Sequence, residues 1–485
     1  MAAIHDVTGL GDLRALVDQG IVISSVVHDS RQVTSGSLYA CLRGEHFDGH
    51  GFAGDAVRAG ATALLTDHPI EVFTAADDGD VFAVPQIVVD DTRLRLGPIA
   101  AEISGHPSRA LATVGITGTN GKTTTAALIA SILEAAGRPC GVVGTLYGAR
   151  TTPEAPELQM VLRGFVDSGR TAAVLEVSSH ALAMHRVDGT EFDAMVFTNL
   201  GHDHLDLHGS QEEYFRAKAR LFTPSFGRLG IINVDDAYGQ LIADTARADG
   251  EVRVVTYSLS EVSEVEVTAT THRYVWRSRL VEVPLGGDFN VANSLAALTT
   301  AAEVGIDLDV AVSGVANLAA VPGRFEVIAT DESRRRGITV IVDYAHTPDG
   351  LSRVLDAARA VVAGSGTLTV VFGCGGHRDR AKRPEMGAVA SRGADRVVIT
   401  SDNPRDESPQ AIIDEILAGI DAGVRVDVVT LIDRRAAIAE AVSSAGAGDV
   451  VVIAGKGHES TQEFGDRVVE FDDRAVVRDF LGAQS

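Results

Sequence analysis

The sequence predicts an α/β protein of three domains, each built around a sheet of mainly parallel strands. The chain of 485 residues is too long for one core, and domains of about 100–200 residues suggest three. Short apolar runs alternate with helix-compatible stretches, as in repeated βαβ units. We therefore predict a small N-terminal α/β domain at 1–108, a central P-loop domain at 109–323 with a small appended antiparallel sheet, and a C-terminal Rossmann-like, doubly wound domain at 324–485.

Composition and charge exclude several classes of partner. Hydrophobic residues make up 45% of the chain and charged residues 22%, as in globular proteins. The formal net charge of −24 opposes binding to nucleic acid or to an anionic membrane. The three cysteines are widely spaced, and no basic segment followed by an apolar stretch opens the chain. We expect a monomeric cytoplasmic protein that binds neither nucleic acid nor membrane.

In the first domain, apolar segments at 21–27 and 87–89 predict strands, and residues 53–60 predict a helix. Ser30 and Arg31 lie in a loop, where an arginine fork can bind a phosphate or a uracil edge. On the residues alone, simple solvent exposure is the favoured interpretation. The linker composition of 105–109 marks the end of this domain.

The central domain is organised around a glycine-rich loop within 113–125. An apolar run leads into Gly118 and Gly121, and a helix-compatible stretch follows. Backbone N–H groups in such a turn cradle phosphate oxygens, Lys122 reaches the terminal phosphates and Thr123 places its hydroxyl on Mg²⁺. The general phosphate-loop pattern has glycine where Ile116 stands, so this is a shorter Gly-x-x-Gly-Lys-Thr form. The alternative is an ordinary glycine turn with a solvated lysine.

Further strands of this domain are predicted at 172–177, 194–198 and 228–233, and an antiparallel sheet at 253–283. Carboxyl ends of parallel strands meet at one crevice, so Glu176 and His204 should converge on the phosphate loop and hold Mg²⁺ there. A structural role for the histidine is the alternative. Residues 211–222 predict a helix, on which spacing alone makes Lys218 a surface lysine.

The last domain shows five buried strands, at 338–342, 368–372, 396–400, 425–430 and 450–454, with helices at 351–360 and 409–418 among them. Loops after three of these strands carry arginine together with acidic or amide side chains. Such a set suits a zwitterionic amino acid. The alternative is glycine turns with exposed charges.

Seven motifs in one order identify a family resemblance. They are Gly-Thr-Asn-Gly-Lys-Thr-Thr at 118–124, Glu-Val-Ser-Ser-His at 176–180, Asp-His-Leu-Asp at 203–206, Asn-Val-Ala-Asn at 290–293, Pro-Gly-Arg-Phe-Glu at 322–326, Asp-Tyr-Ala-His-Thr-Pro at 343–348 and Gly-Lys-Gly-His-Glu at 455–459. Over nearly the whole chain the sequence resembles the Mur ligases, and within them the members that add the third residue to the muramoyl peptide.

The resemblance implies an ATP site with two Mg²⁺ ions. Lys122, His204 and Lys218 would be catalytic, and Lys218 would carry a CO₂-derived carbamate, which overturns its interpretation as a surface lysine. The metal ions would be held by Thr123, Glu176, His204 and the modified Lys218. The nucleotide would be bound by Gly118, Thr119, Asn120, Gly121, Lys122, Thr123, Thr124, Asn293, Arg324 and Asp343.

The resemblance also implies two further small-molecule sites. The UDP-muramoyl-dipeptide would be bound by the N-terminal, UDP-binding domain and by Ser30, Arg31, Thr151, Thr152, Ser179 and Arg186. meso-Diaminopimelate would be bound by Arg378, Asp402, Asn403, Pro404, Arg405, Gly455 and Glu459. Arg405 fits this amino acid because a guanidinium pairs bidentately with the second carboxylate, which lysine lacks. Met184, Arg150 and the Gly201-His202 pair depart from the family pattern, and the first two adjoin the acceptor site.

The implied reaction is amide-bond formation through an acyl phosphate, in the synthesis of peptidoglycan precursors. One alternative is a ligase of the same fold for another carboxylate, such as a folylpolyglutamate synthase or a paralogue. Another is an ATP-binding sensor without catalysis. A sensor would be expected to lack Lys122, Glu176 or Lys218, and all three are present.

Overall fold

The structure, a computed structural model, describes residues 9–44, 47–71, 84–201, 208–421 and 423–482, and the backbone of 74–75 and 81–82. The predicted α/β class is confirmed. Three sheets of mainly parallel strands follow one another along the chain, with a small antiparallel sheet after the second. None of the described helices has the length and apolar character needed to cross a bilayer.

The first sheet has four parallel strands in the order β1-β2-β3-β6. A two-stranded antiparallel pair, β4 with β5, lies in the connection before the last of them. Helices cover the sheet because its strands are apolar on both faces. The elements are α1 (Leu10–Asp18), β1 (Ser25–Val27), β2 (Ser37–Ala40), α2 (Ala53–Arg58), β3 (Ala63–Thr66), β4 (Thr74–Ala75), β5 (Val81–Phe82), β6 (Gln86–Val88) and α3 (Thr92–Ile103).

The second sheet is six-stranded and parallel, in the order β12-β11-β10-β7-β9-β8. Its strand residues alternate between two apolar cores, so Val174 packs on one face and Leu175 on the other. The elements are β7 (Ala112–Thr117), α4 (Lys122–Ala135), β8 (Cys140–Val143), α5 (Ala155–Asp167), β9 (Ala172–Glu176), α6 (Ser179–Ala183), β10 (Ala194–Phe197), α7 (Gln211–Ala219), β11 (Leu229–Asn233), α8 (Ala237–Asp249) and β12 (Arg253–Tyr257).

The antiparallel sheet is shorter than predicted. It contains β13 (Ser263–Val267), β14 (His272–Trp276) and β15 (Arg279–Val283), whereas β12 is a parallel edge strand of the second sheet. The prediction that the antiparallel sheet begins at 253 is therefore wrong. Two helices, α9 (Phe289–Glu303) and α10 (Leu308–Ala316), then return the chain to the core beneath α4.

The third sheet runs in the order β16-β17-β21-β18-β19-β20, and only the edge strand β16 is antiparallel. All five predicted strands are present, but β16 and the hairpin β22-β23 were not predicted. The elements are β16 (Glu326–Val327), α11 (Asp331–Arg336), β17 (Thr339–Asp343), α12 (Pro348–Arg359), β18 (Leu368–Phe372), α13 (Lys382–Gly393), β19 (Arg396–Ile399), α14 (Pro409–Leu417), β20 (Asp427–Thr430), α15 (Arg434–Ser444), β21 (Val450–Ala454), β22 (Thr461–Phe464), β23 (Arg467–Glu470) and α16 (Asp473–Gly482).

Candidate functional site

The phosphate loop joins β7 to α4 and depends on two glycines. Gly118 and Gly121 have φ angles of 153° and 89°. A Cβ at Gly121 would lie 2.4 Å from Asn293 Oδ1, so a side chain is excluded there by space as well as by backbone conformation. Lys122 Nζ donates to the carbonyls of Gly118 and Thr119 over 2.7 and 2.9 Å. The loop therefore folds around its own lysine.

Glu176 ends β9 beside this loop, and its carboxylate is buried and bonded through both oxygens. Thr123 Oγ1 donates to Oε2 over 2.8 Å, and the Thr145 amide donates to Oε1 over 2.9 Å. The Thr145 hydroxyl adds a bond of 3.1 Å to Oε2. Carboxylate and hydroxyl oxygens are the ligands that Mg²⁺ prefers, so Thr123 and Glu176 fit a magnesium site. The predicted convergence of Glu176 on the loop is observed.

The loop after β10 holds the phosphate loop from the other side. Asn199 accepts from the Asn120 amide through Oδ1 and donates to the Asn120 carbonyl through Nδ2, each over 3.0 Å. Thr119 Oγ1 lies 2.9 Å from the hydroxyl of Tyr214 on α7 and accepts from the Gly201 amide. His204, with Asp203 and Asp206, lies in 202–207, outside the described residues.

Lys218 is buried, so the interpretation of this residue as a surface lysine is wrong. It lies on the same face of α7 as Tyr214, four residues earlier, and is 1% exposed. Its Nζ lies 4.6 Å from the centre of the Tyr214 ring. Because the Tyr214 hydroxyl contacts Thr119, this face of the helix points at the phosphate loop.

The C-terminal domain adds residues to the predicted nucleotide site. Arg324 Nη2 donates to Thr123 Oγ1 over 3.2 Å, and its guanidinium stacks 4.3 Å from the centre of the Tyr344 ring. Asp343 accepts from the amides of Phe325 and Ala345, each over 2.7 Å, while burial raises the pKa of its carboxyl group. These residues keep the start of the third sheet against the phosphate loop.

A cavity of about 450 Å³ lies between the two domains. Its lining contains most of the residues predicted to bind the nucleotide, namely Thr119, Asn120, Gly121, Lys122, Thr123, Thr124, Asn293, Arg324 and Asp343. Gly118, whose Cβ would collide with Thr198 Oγ1, supports the loop from behind. Sequence reasoning missed Thr145, Asn199 and Tyr344, which also line the cavity. Tyr344 belongs to the motif at 343–348, whereas Thr145 follows β8, a strand that was not predicted.

Two of the residues predicted to touch the acceptor, Thr151 and Thr152, lie near Glu176, and a third, Arg186, donates to the Thr152 carbonyl over 3.4 Å. Thr151 Oγ1 is 3.0 Å from Thr145 Oγ1, and Thr152 Oγ1 donates to the Glu176 carbonyl over 2.8 Å. Arg186 is paired with Glu154 at 2.8 Å, and burial lowers the pKa of its guanidinium. Ser179 contacts another part of the chain, since its Oγ lies 3.1 Å from His208 Nε2.

Ser30 and Arg31 are not brought to this cavity. They form a 3₁₀ turn after β1, where Arg31 is exposed and pairs with Asp29 at 2.7 Å. The cavity lining contains neither residue.

The residues predicted to bind the amino acid cluster at the carboxyl ends of β18, β19 and β21. Asn403 donates to Glu459 Oε2 over 3.0 Å and accepts from Lys456 Nζ, a fully buried ammonium. Arg405 is fixed by Glu463 at 2.9 Å and by the Gly376 carbonyl at 2.7 Å. Asp402 lies within the same group, because a Cβ at Gly455 would meet its carboxylate at 2.9 Å.

Arg378 lies at the exposed side of this pocket, and Pro404 is buried within it. A Cβ placed at Gly375 would lie 3.2 Å from Arg405 Nη1 and 3.6 Å from Arg378 Cγ. The two arginines therefore approach the same glycine. The structure brings all seven residues predicted to bind the amino acid into one region.

Three regions of the chain match known protein domains. The Mur ligase family catalytic domain matches residues 22–103, the Mur ligase middle domain 116–301, and the Mur ligase glutamate ligase domain 323–457. The UDP-N-acetylmuramoyl-L-alanyl-D-glutamate--2,6-diaminopimelate ligase of Streptomyces coelicolor is 44% identical over 491 residues, covering 96% of this chain and 94% of the relative. The ligase of the same name from Gloeobacter violaceus is 44% identical over 495 residues, covering 98% and 96%.

Solved structures agree with this result. A ligase with the same printed name superposes with a TM-score of 0.64 at 37% identity, covering 95% of each chain. The MurF ligase of Thermotoga maritima in complex with ADP gives a TM-score of 0.63 at 17% identity, covering 96% of this chain and 99% of the other. At 17% identity, the similarity to the MurF structure is evidence for the fold only.

Proposed function

The chain belongs to the Mur ligase family, and from this premise we propose that it joins meso-diaminopimelate to UDP-N-acetylmuramoyl-L-alanyl-D-glutamate, with conversion of ATP to ADP and phosphate. Relatives 44% identical over nearly the full length carry this activity in their names. The product is a precursor of peptidoglycan. The activity therefore belongs to cell-wall synthesis, on which cell shape and division depend, and we place it in the cytoplasm, in a monomer.

The observation that carries the choice of amino acid is the fixed guanidinium of Arg405. Its Nε and Nη1 are held by Glu463 and the Gly376 carbonyl, so the group has one orientation. Diaminopimelate has a carboxylate and an ammonium at each end. Arg405 and Arg378 suit the carboxylate of the end that does not react, and Glu459 suits its ammonium, because charge-assisted pairs give both strength and direction. Lysine lacks that carboxylate and cannot form this ion pair with Arg405.

The reaction has two steps. A carboxylate oxygen of the acceptor attacks the γ-phosphorus of ATP, the bond from that phosphorus to the β–γ bridging oxygen breaks, and ADP leaves. The amino group of diaminopimelate then attacks the acyl carbon, the bond to phosphate breaks, and the nitrogen loses its proton. Positioning and charge carry most of such catalysis.

The family resemblance, together with the contacts described above, supports the following roles for the chain's own residues. Lys122 binds the terminal phosphates, and Arg324 holds Thr123 and the nucleotide together. Asn293 and Asp343 bind the rest of the nucleotide, and the groups around Thr151, Thr152 and Arg186 orient the acceptor carboxylate. Ser30 and Arg31 bind the uridine end, and Ser179 contacts the dipeptide.

Thr123 and Glu176 would hold one magnesium ion, and His204 with a carbamate on Lys218 a second. When bound, these ions offset negative charge on the phosphoryl group. A carbamate fits Lys218 chemically, since it converts a buried ammonium next to an oxygen-rich site into a carboxylate-like ligand.

Phosphate release tests the proposal directly. The purified chain is mixed with ATP, Mg²⁺ and UDP-muramoyl-dipeptide, and then with diaminopimelate, lysine or no amino acid. We expect phosphate only in the complete mixture with diaminopimelate. Release with lysine alone would refute the specificity, and release with a folate acceptor and glutamate would favour the folylpolyglutamate alternative. Binding of ATP without release in any mixture would favour the sensor.

A further inference from the structure

The N-terminal domain contains a cluster of two imidazoles and a carboxylate that the ligase reaction does not use. One ligand atom from each of His50, Asp67 and His68 lies within 4.8 Å of the others. The two histidine rings stack with their centres 4.6 Å apart. We propose that these three residues bind a divalent transition-metal ion of the zinc class.

The backbone brings the three residues together at the carboxyl edge of the first sheet. Asp67 and His68 directly follow β3, and His50 lies in the 3₁₀ turn Gly49–Phe52 that precedes α2. A Cβ at Gly49 would lie 2.7 Å from the Leu42 amide nitrogen, so this turn packs tightly on the segment after β2. The Tyr39 hydroxyl donates to the Gly49 carbonyl over 3.0 Å and fixes the turn further.

The strongest evidence for a metal site is the burial of His50 and the contacts of its two ring nitrogens. Its side chain is only 8% exposed, and its Nδ1 lies 2.6 Å from Asp48 Oδ1. In a neutral imidazole that donates from Nδ1 to this carboxylate, Nε2 carries the lone pair that can bind a metal ion. Nε2 is buried, makes no hydrogen bond with any described residue, and lies 3.2 Å from Asp67 Oδ1. A positive charge between Nε2 and this carboxylate oxygen, supplied by a second proton or by a metal ion, makes their close approach favourable.

The spacing of these two atoms suits a shared metal ion. Ligands at about 2.0–2.1 Å on a tetrahedral zinc ion lie about 3.3 Å apart, close to the observed separation. Imidazole nitrogen with carboxylate oxygen is the donor set of zinc and its neighbours, whereas Mg²⁺ prefers oxygen alone. His68 Nδ1 contacts the same oxygen of Asp67, so both histidines lie at this one carboxylate oxygen.

The surrounding charges complete a cation site. Asp48 orients His50 from behind, as carboxylates do for metal-bound histidines. Arg43 contacts both oxygens of Asp67, with Nε 3.2 Å from Oδ2 and Nη2 donating to Oδ1 over 3.5 Å. The carboxylates of Asp48 and Asp67 outnumber the single guanidinium of Arg43, so these three side chains carry a net negative charge. His68 is half exposed, which leaves a position for water or another ligand.

A bound ion would join the segment after β2 to the end of β3. The turn Ser30–Gln32 follows β1 at the same edge of this parallel sheet. The ion would thus stiffen the edge that carries Ser30 and Arg31. The site itself stands independently of the proposed ligase activity.

Cobalt absorption tests the proposal on the full chain. Co²⁺ is titrated in the presence of excess Mg²⁺, which fills oxygen-ligated sites, and the visible bands of a low-coordinate cobalt ion are recorded. We expect one equivalent to bind, and Zn²⁺ to displace it. His50→Gln and His68→Gln should each abolish the bands, and Asp48→Asn should weaken binding by about 10–100-fold.

The matched control is His106→Gln. His106 lies in the N-terminal region and pairs with a single carboxylate, Glu102, at 2.8 Å, so its loss should leave Co²⁺ binding unchanged. Unchanged binding in both His50→Gln and His68→Gln, or no bands with the wild-type chain, would overturn the proposal. If His50→Gln fails to fold, Asp48→Asn is the variant to measure, because Asp48 is a half-exposed carboxylate whose loss should not prevent folding. Undiminished Co²⁺ binding in Asp48→Asn would also overturn the proposal.

Discussion

Thr123 and Glu176 lie 53 positions apart in the chain, and their side chains share a hydrogen bond of 2.8 Å at the centre of the nucleotide site. The same threonine hydroxyl accepts a bond from Arg324 in the C-terminal domain. One hydroxyl therefore contacts the last residue of β9 in the second sheet and a residue that lies just before the third sheet.

Glu176→Gln should lower the rate of ADP formation by at least about 100-fold. The amide keeps the size of the side chain and its bond from Thr145, but it lacks the charge that would hold Mg²⁺. The Mg²⁺ concentration needed for half-maximal rate should rise as well. Glu212→Gln, on the exposed side of α7, is the control and should change neither quantity. Equal rates for wild type and Glu176→Gln would remove Glu176 from the metal site.

Lys218→Ala and Lys218→Met should both lose ligase activity, but only the alanine variant should recover part of it in acetate. Alanine leaves space for a small carboxylate to stand where the carbamate would be, and methionine fills that space. The recovery is measured as phosphate release at rising acetate concentration. No recovery, together with a native mass that lacks one added CO₂, would contradict carbamylation of Lys218.

Arg405→Lys should raise the KM for diaminopimelate by about 10–100-fold, equivalent to about 1.4–2.7 kcal/mol, and leave the KM for ATP unchanged. Lysine keeps the charge but cannot form two parallel hydrogen bonds to a carboxylate. Arg435→Lys, which alters an exposed pair with Asp479, is the matched control. If Arg405→Lys changed the KM for diaminopimelate and the KM for ATP by a similar factor, Arg405 would not be a determinant of amino-acid specificity.

His272 should make the central domain less stable in mild acid. Burial lowers its pKa to about 4, below its usual value of about 6.5, and its nitrogens bond the Leu285 carbonyl and Ser294 Oγ. Between these two pKa values the unfolded chain binds the extra proton. Stability is therefore lost as pH falls through this window, by up to about 3 kcal/mol, and is retained above it.

The test compares wild type with His272→Gln by urea unfolding from pH 4 to pH 7. Trp276, the only tryptophan, is buried on the same strand and reports this region. The glutamine variant should show a shallower loss of stability with falling pH. Parallel curves for the two proteins would refute the role of His272.

The sequence predicted the buried strands best. Leu368–Phe372 and Val450–Ala454 are apolar on both faces of a covered sheet, so the run of apolar residues marks their whole length. The strand Arg253–Tyr257 was assigned to the wrong sheet. In an edge strand with one exposed side, apolar and polar residues alternate in the same way whether the neighbouring strand is parallel or antiparallel. Partner identity is set by tertiary contacts, which local pattern does not contain.

The candidate site likewise contains residues that the sequence predicted and residues that depend on tertiary contacts. Thr123 and Glu176 were predicted because a motif carries them, and the family resemblance is confirmed by the full-length relatives. Thr145 was missed because the strand before it was not recognised. The burial of Lys218 follows from the way α7 lies on the phosphate loop, a packing that helical spacing alone does not reveal.

The bond between Arg324 and Thr123 provides a physical link between the predicted nucleotide site and the C-terminal domain. Gly323 packs so closely on Gly457 that a Cβ would lie 2.2 Å from its backbone, and Gly457 lies two residues before Glu459. If a nucleotide orders Thr123, we expect it also to order the segment next to the residues predicted to bind the amino acid. By linkage, the factor by which ATP tightens diaminopimelate binding equals the factor by which diaminopimelate tightens ATP binding.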